Sequence, residues 1–321
     1  MAKLLLKLAS AAMVPVVLWY VYMLVFPMYY MDDEYPYWKQ QKDYVNNNGE
    51  CNDIIILGDS TTKAAFCTDC DDNLSIYNLA LGGATSAEMY VTLRNYLKAH
   101  DKPKTVVMMF AAKNLVSHPK FWDRTIYFNF YSWSELEELY KKGQELNDPF
   151  WTEDGVELKL LKYYFKDPNR YLAAVNNSSF FGRYSENVNL YEQLERDKGW
   201  MSFGTSDGAY GENFISTLES FETGSMEDNY IRRIIELCGE NDIEVIVEQP
   251  PVKASAIGEI RENVLSEYEG YFLQLQQDYP YARVNTSLAY YDNVYFGDED
   301  HLNRKGAEMY TAEIIDKYFK K

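Results

Sequence analysis

The sequence holds three histidines, His100, His118 and His301, so an imidazole base has few places to come from. His100 stands between Ala99 and Asp101 at the end of a helical pattern, where a cationic ring suits the helix C-terminus. His118 precedes Pro119 in a polar turn and reads as solvated surface. His301 differs, because the loop Gly297-Asp298-Glu299-Asp300-His301 puts a carboxylate three residues ahead of the ring. A carboxylate so placed fixes the tautomer of the imidazole and stabilises its cation, and such a ring can take the proton of a serine hydroxyl. The serine to match it is Ser60, where the apolar run Ile54-Ile55-Ile56-Leu57 stops abruptly in Gly58-Asp59-Ser60. Two readings stay open at Ser60: a nucleophile, or a helix cap.

The run at 54–57 reads as a buried parallel strand that delivers Ser60 into the turn before a helix beginning near Thr61. In an open α/β sheet that turn lies at the carboxyl edge, where ligands bind and helix amides face a developing oxyanion. A second strand at 75–79 runs into Gly82-Gly83-Ala84-Thr85-Ser86 and a helix at 87–99, and a third strand follows at 105–110. This is the βαβ grammar of a parallel sheet. It breaks down over 117–223, an aromatic and acidic stretch read as an insertion or lid. The aromatic faces there suit a sugar or lipid surface, or else pack a small core of their own. The grammar resumes with a helix at 226–239, a strand at 243–247, a helix at 260–277, a strand around 283–286, a loop at 290–303 and a closing helix from Lys305.

Residues 8–31 carry no charge over 24 positions, long enough to cross a bilayer as a helix despite Pro15 and Pro27. Lys3 and Lys7 before it and Asp32, Asp33 and Glu34 after it put the amino terminus in the cytoplasm and the rest outside. The expected organisation is a cytoplasmic tip and anchor at 1–31, a stalk at 32–50 and an α/β domain at 51–321. A net charge of -18 argues against nucleic acid and against lying broadly on an anionic membrane. Cys67 and Cys70 form a lone C-x-x-C pair, with no second pair for a structural zinc, so no metal is expected. They are either two free thiols or, outside the cytosol, a local disulfide.

Taken in order, Gly58-Asp59-Ser60, Asn78-Leu79-Ala80-Leu81-Gly82-Gly83, Ala112-Lys113-Asn114 and Asp298-x-x-His301 resemble the four blocks of the SGNH (GDSL-type) hydrolase superfamily. The resemblance implies a flavodoxin-like three-layer parallel sheet and no cofactor. It implies Ser60 as nucleophile, His301 as base and Asp298 as its orienting acid, with the Ser60 amide, Gly83 and Asn114 as oxyanion donors. The third block departs from the family's usual Gly-x-Asn-Asp, and Ala80 replaces a frequent glycine. Asp300 is a rival to Asp298 as the triad acid. The anchor, the Asp300-to-Ala307 closing pattern and Phe121-Trp122-Asp123-Arg124 look like tethered bacterial proteins of cell-surface acylation, which act beside a membrane-bound O-acyltransferase.

The activity these features imply is an extracytoplasmic serine esterase or O-acyltransferase. It would act on acyl esters of cell-surface glycans through an acyl-serine, with an acylated glycan or acyl donor as partner. A rival reading keeps the fold without the chemistry and uses the aromatic stretch to bind polysaccharide or a membrane-bound O-acyltransferase.

Overall fold

The computed structural model describes residues 1–49, 51–70, 74–202, 204 and 212–320. Of the expected stalk and insertion, 50, 203 and 205–211 lie outside the described residues. The sheet is built from strands β1 (Ile54–Gly58), β2 (Ile76–Asn78), β3 (Thr105–Met109), β4 (Glu244–Glu248) and β6 (Arg283–Val284), all parallel, in the order β2-β1-β3-β4-β6. A short pair, β5 (Val252–Lys253) with β7 (Tyr290–Tyr291), lies beyond it. Every residue of β1 and β3 is buried, as near-continuous apolar strands of a two-sided parallel sheet must be. The order reverses between β1 and β3, so the crevice at their carboxyl ends is the switch point of the sheet.

The helices are α1 (Ala2–Val25), α2 (Tyr35–Asn46), α3 (Ser60–Ala65), α4 (Ser86–Ala99), α5 (Ala112–Val116), α6 (Trp133–Glu145), α7 (Val156–Tyr164), α8 (Pro168–Asn177), α9 (Tyr184–Arg196), α10 (Phe214–Thr217), α11 (Ser225–Glu240), α12 (Glu262–Asp278) and α13 (Arg304–Tyr318). Alternate strand residues divide the core. Ile55, Leu57, Val106, Met108, Val245 and Val247 join the larger cluster with residues of α2, α4, α11 and α12. Ile54, Ile56, Val107, Met109 and Ile246 face the smaller one, closed by Tyr310, Ile314 and Ile315 of α13.

Two expectations need correction, and one open choice is settled. The stalk is in fact α2, a packed helix: Trp38 is 2% exposed, and Gln40 and Gln41 are buried on Tyr77 Oη and Thr92 Oγ1 at 2.6 Å each. A row of aromatic and amide side chains, hidden from a hydropathy reading, buries itself because its polar ends find partners. His118 is buried, not solvated: its Nδ1 lies 3.0 Å from Glu227 Oε1 of α11, inside a cage that includes Phe121, Phe150 and Trp151. Cys67 and Cys70 are joined as a disulfide, which decides between the two thiol readings.

The stretch at 117–223 leaves α5 and returns beside it, since Gly224 N–H donates to Leu115 O at 2.8 Å. Within it Phe121, Phe130, Trp151 and Tyr171 are buried, whereas Phe165, Phe180 and Phe181 are exposed. The exposed group stands against the end of α1, where Tyr20 Oη donates to Phe165 O at 3.1 Å and Tyr22 Oη donates to Phe180 O. Helix α1 is long and apolar enough to cross a membrane, and only 6% of its most apolar window is buried.

Candidate active site

Asp59, the residue before the candidate nucleophile, organises the crevice. It caps α3: Oδ1 accepts from the Thr61 amide at 2.9 Å and from the Thr61 hydroxyl at 2.6 Å. Ser60 is therefore the first helical residue and not the cap. The other oxygen, Oδ2, accepts from Ala111 N–H at 2.8 Å and Asn114 Nδ2 at 2.7 Å. One fully buried carboxylate thus ties the β1–α3 turn to the turn after β3, and it orients Asn114. Gly58 has no room for a side chain, because a Cβ there would stand 2.1 Å from Met109 O. That close approach lets the two turns meet.

The loop before α13 brings in the candidate base. His301 Nε2 lies 2.8 Å from Ser60 Oγ, and its Nδ1 lies 2.9 Å and 2.8 Å from the two oxygens of Asp298. Asp298 also accepts from the backbone N–H of Asp300 and His301, at 2.9 and 2.8 Å, so loop and carboxylate hold each other. Burial alone would raise Asp298, but the bonds from His301 and these amides leave it below the ordinary carboxylate range. Burial would likewise lower His301. Its bond to Asp298, with the charges of Asp298, Asp300 and Asp59, outweighs burial and leaves it above 6.5. Asp300 is not bonded to the ring; burial pushes it up despite His301.

Ser60, Gly83, Asn114 and His301 all line one cavity of about 130 Å³. The structure brings together every residue expected at the site, from loops after β1, β2 and β3 and before α13. Gly83 has a φ of +73°, and a Cβ on it would meet Lys120 and Arg124 side chains within 2.9 Å, so both the turn and the crowding favour glycine. One of the two Asn114 amide hydrogens is taken by Asp59, and the residue lines the cavity.

Sequence reading missed Asp59, Lys120, Arg124 and Phe214. Lys120 and Arg124 enter the cavity from the stretch after α5, and Phe214 from α10. Arg124 is ion-paired with Glu34, only nine residues past the end of α1 at Val25. The Phe121-Trp122-Asp123-Arg124 string was the available signal for Arg124; Phe214 gave none. Compared with family models, with curated proteins and with solved structures, the chain matches none.

Proposed function

We propose that the protein is an SGNH-type serine esterase or O-acyltransferase, held by α1 in a membrane with its α/β domain outside the cell, acting on acyl esters of cell-surface glycans. The observation that carries this reading is the unbroken chain Ser60 Oγ, His301 Nε2, His301 Nδ1, Asp298, with each step at 2.8 to 2.9 Å.

In the first half-reaction His301 takes the Ser60 proton as Oγ attacks the acyl carbonyl. The tetrahedral oxyanion is met by the amides of Ser60 and Gly83 and by Asn114. His301 then returns the proton to the leaving alcohol, and an acyl-serine remains. In the second half-reaction water or a glycan hydroxyl attacks that ester, with His301 again the base and Ser60 the leaving group. Asp298 stays ionised throughout and steadies the imidazolium. A cavity of about 130 Å³ suits a short acyl group, and Lys113 and Lys120 at its walls suit an electronegative acceptor. The Arg124–Glu34 pair keeps this cavity close to where α1 would leave the bilayer.

The test uses the full chain in detergent with a chromogenic acetyl ester. An acyl-enzyme burst, labelling of Ser60 by a serine-directed phosphonate, and loss of both in Ser60→Ala are expected. Neither burst nor labelling in a folded protein rejects the reading and favours a non-catalytic binding role.

A further inference from the structure

Away from the Ser60 crevice, a cavity of about 590 Å³ lies where α1 meets the domain. One wall is the end of α1 with the residues just past it: Tyr20, Met23, Leu24, Tyr30 and Met31. The rest of the lining includes Trp38, Lys39, Lys42 and Asp43 of α2, and Tyr164, Phe165 and Lys166 at and just past the end of α7. The walls are largely apolar, with three lysines and one carboxylate, Asp43, among the lining residues. Lys42 Nζ donates to Asn129 O at 2.5 Å, and Lys166 Nζ approaches Tyr171 Oη at 3.5 Å. Neither is ion-paired among the described residues, whereas Lys39 is paired with Asp43 at 2.5 Å.

Lys166 is 5% exposed, and burying an ammonium without an anion is costly. In a chain of net charge -18, three lysines to one carboxylate in the lining of a cavity run against the overall balance. Burial and the charge of Lys42 hold Lys166 down at about 8, and burial lowers Lys42 despite Glu135 and Asp43. Lys166 also adopts a φ of +62° just past α7, the left-handed position that glycine takes most cheaply. Lys166 is thus a buried ammonium with a tyrosine but no carboxylate as partner, held at a strained backbone position.

We infer that this cavity binds one bilayer lipid with an anionic phosphate head group, its phosphate between Lys42 and Lys166 and its acyl chains along α1. The inference rests on the reading of α1 as a membrane span, and three features favour a lipid over a soluble anion. The wall formed by α1 is the apolar stretch at which the span would leave the bilayer. Leu24 on that wall is exposed, and so is Phe165, whose carbonyl accepts from Tyr20 Oη of α1, which leaves an apolar path outward for acyl chains. Tyr20 and Tyr164 on its walls are not buried and have the amphipathic rings that suit the head-group level.

The test reconstitutes the full chain in nanodiscs of equal phosphatidylcholine and phosphatidylglycerol, and counts retained lipids by native mass spectrometry. One phosphatidylglycerol per chain is expected, preferred by about tenfold or more, a difference of about 1.4 kcal/mol. Lys42→Gln with Lys166→Gln should abolish the preference, and Lys42→Arg with Lys166→Arg should keep it. Circular dichroism shows whether each variant is folded; if the glutamine pair is not, the wild-type preference and the arginine pair decide. Equal retention by wild type and a folded glutamine pair overturns the inference, as does displacement of the lipid by millimolar inorganic phosphate. A chain that enters nanodiscs without preferring either lipid sinks this inference alone; one that does not enter them sinks the membrane-span reading with it.

Discussion

Asp298 and Asp300 flank the same histidine but are set up for different work. Asp298 accepts from the ring and from two backbone amides, whereas Asp300 faces the cavity with its acidity weakened by burial. Asp298→Asn is therefore expected to lower kcat for an acetyl ester about 10²- to 10⁴-fold, by losing the correct tautomer and the support of the cation. Asp300→Asn should keep kcat within about tenfold. The pH profile separates them further. A base works only unprotonated, and His301 is held above 6.5, so the acidic limb of kcat/KM should lie above that value. Asp298→Asn should move the limb to lower pH, because it removes the main influence raising His301; Asp300→Asn should move it less. Asn114→Ala should cost about 10²- to 10³-fold in kcat with KM little changed, the mark of a donor used in the transition state. Ser60 and His301 were legible because so few histidines compete for the role. Asp59 was not, since nothing in Gly-Asp-Ser tells a solvated carboxylate from one that ties two turns together.

Among the elements, α2 departs furthest from expectation and offers a direct test. Trp38 packs edge-on to Phe130 at 5.3 Å, and Tyr44 stacks on Tyr77 at 3.6 Å, so α2 belongs to the core of the α/β unit. Trp38→Ala should cost about 3 to 5 kcal/mol in denaturant melts. A chain begun at Cys51 should lose its cooperative thermal transition altogether. The five strands of the main sheet announced themselves as short apolar runs, and the structure shifts their ends by a residue or two at most, whereas the two-residue β5 and β7 gave no signal. Helix α2 had no such signature: its buried face mixes Tyr35, Trp38, Gln40, Gln41 and Val45, and the amides are buried only because β2 and α4 present partners. His118 went astray for the same reason, as its partner Glu227 is more than 100 residues away. Burial would lower His118, but Glu227 raises it overall. A group raised on folding contributes stability that is full below its unfolded value of about 6.5 and fades as pH climbs through the folded value. His118→Ala should thus destabilise by about 3 to 5 kcal/mol near pH 6, and by clearly less near pH 9.

Taken as one object, the molecule joins an apolar helix, an α/β domain and a local disulfide, and the proposed outward orientation accounts for the three together. The disulfide joins Cys67 and Cys70 in the loop after α3, and such bonds persist in oxidising surroundings and are rare in the cytosol. Lys3 and Lys7 on the far side of α1 point the same way. The remaining cysteines make the orientation measurable, because Cys51 is exposed and Cys238 is buried. Burial also pushes the Cys238 thiol up to about 12, which leaves it inert to thiol reagents near neutral pH. Cys51 is therefore the one thiol a maleimide should find in the folded chain. Intact cells treated with a membrane-impermeant maleimide should label the protein without lysis, and Cys51→Ser should abolish the signal. Labelling that appears only after lysis would place the domain in the cytoplasm. It would separate Ser60 from any cell-surface ester, since the Arg124–Glu34 pair keeps the crevice on the same side of the bilayer as the end of α1. Orientation and substrate class thus stand or fall together, whereas the proposed chemistry of the hydrogen-bonded Ser60, His301 and Asp298 does not depend on the side of the bilayer.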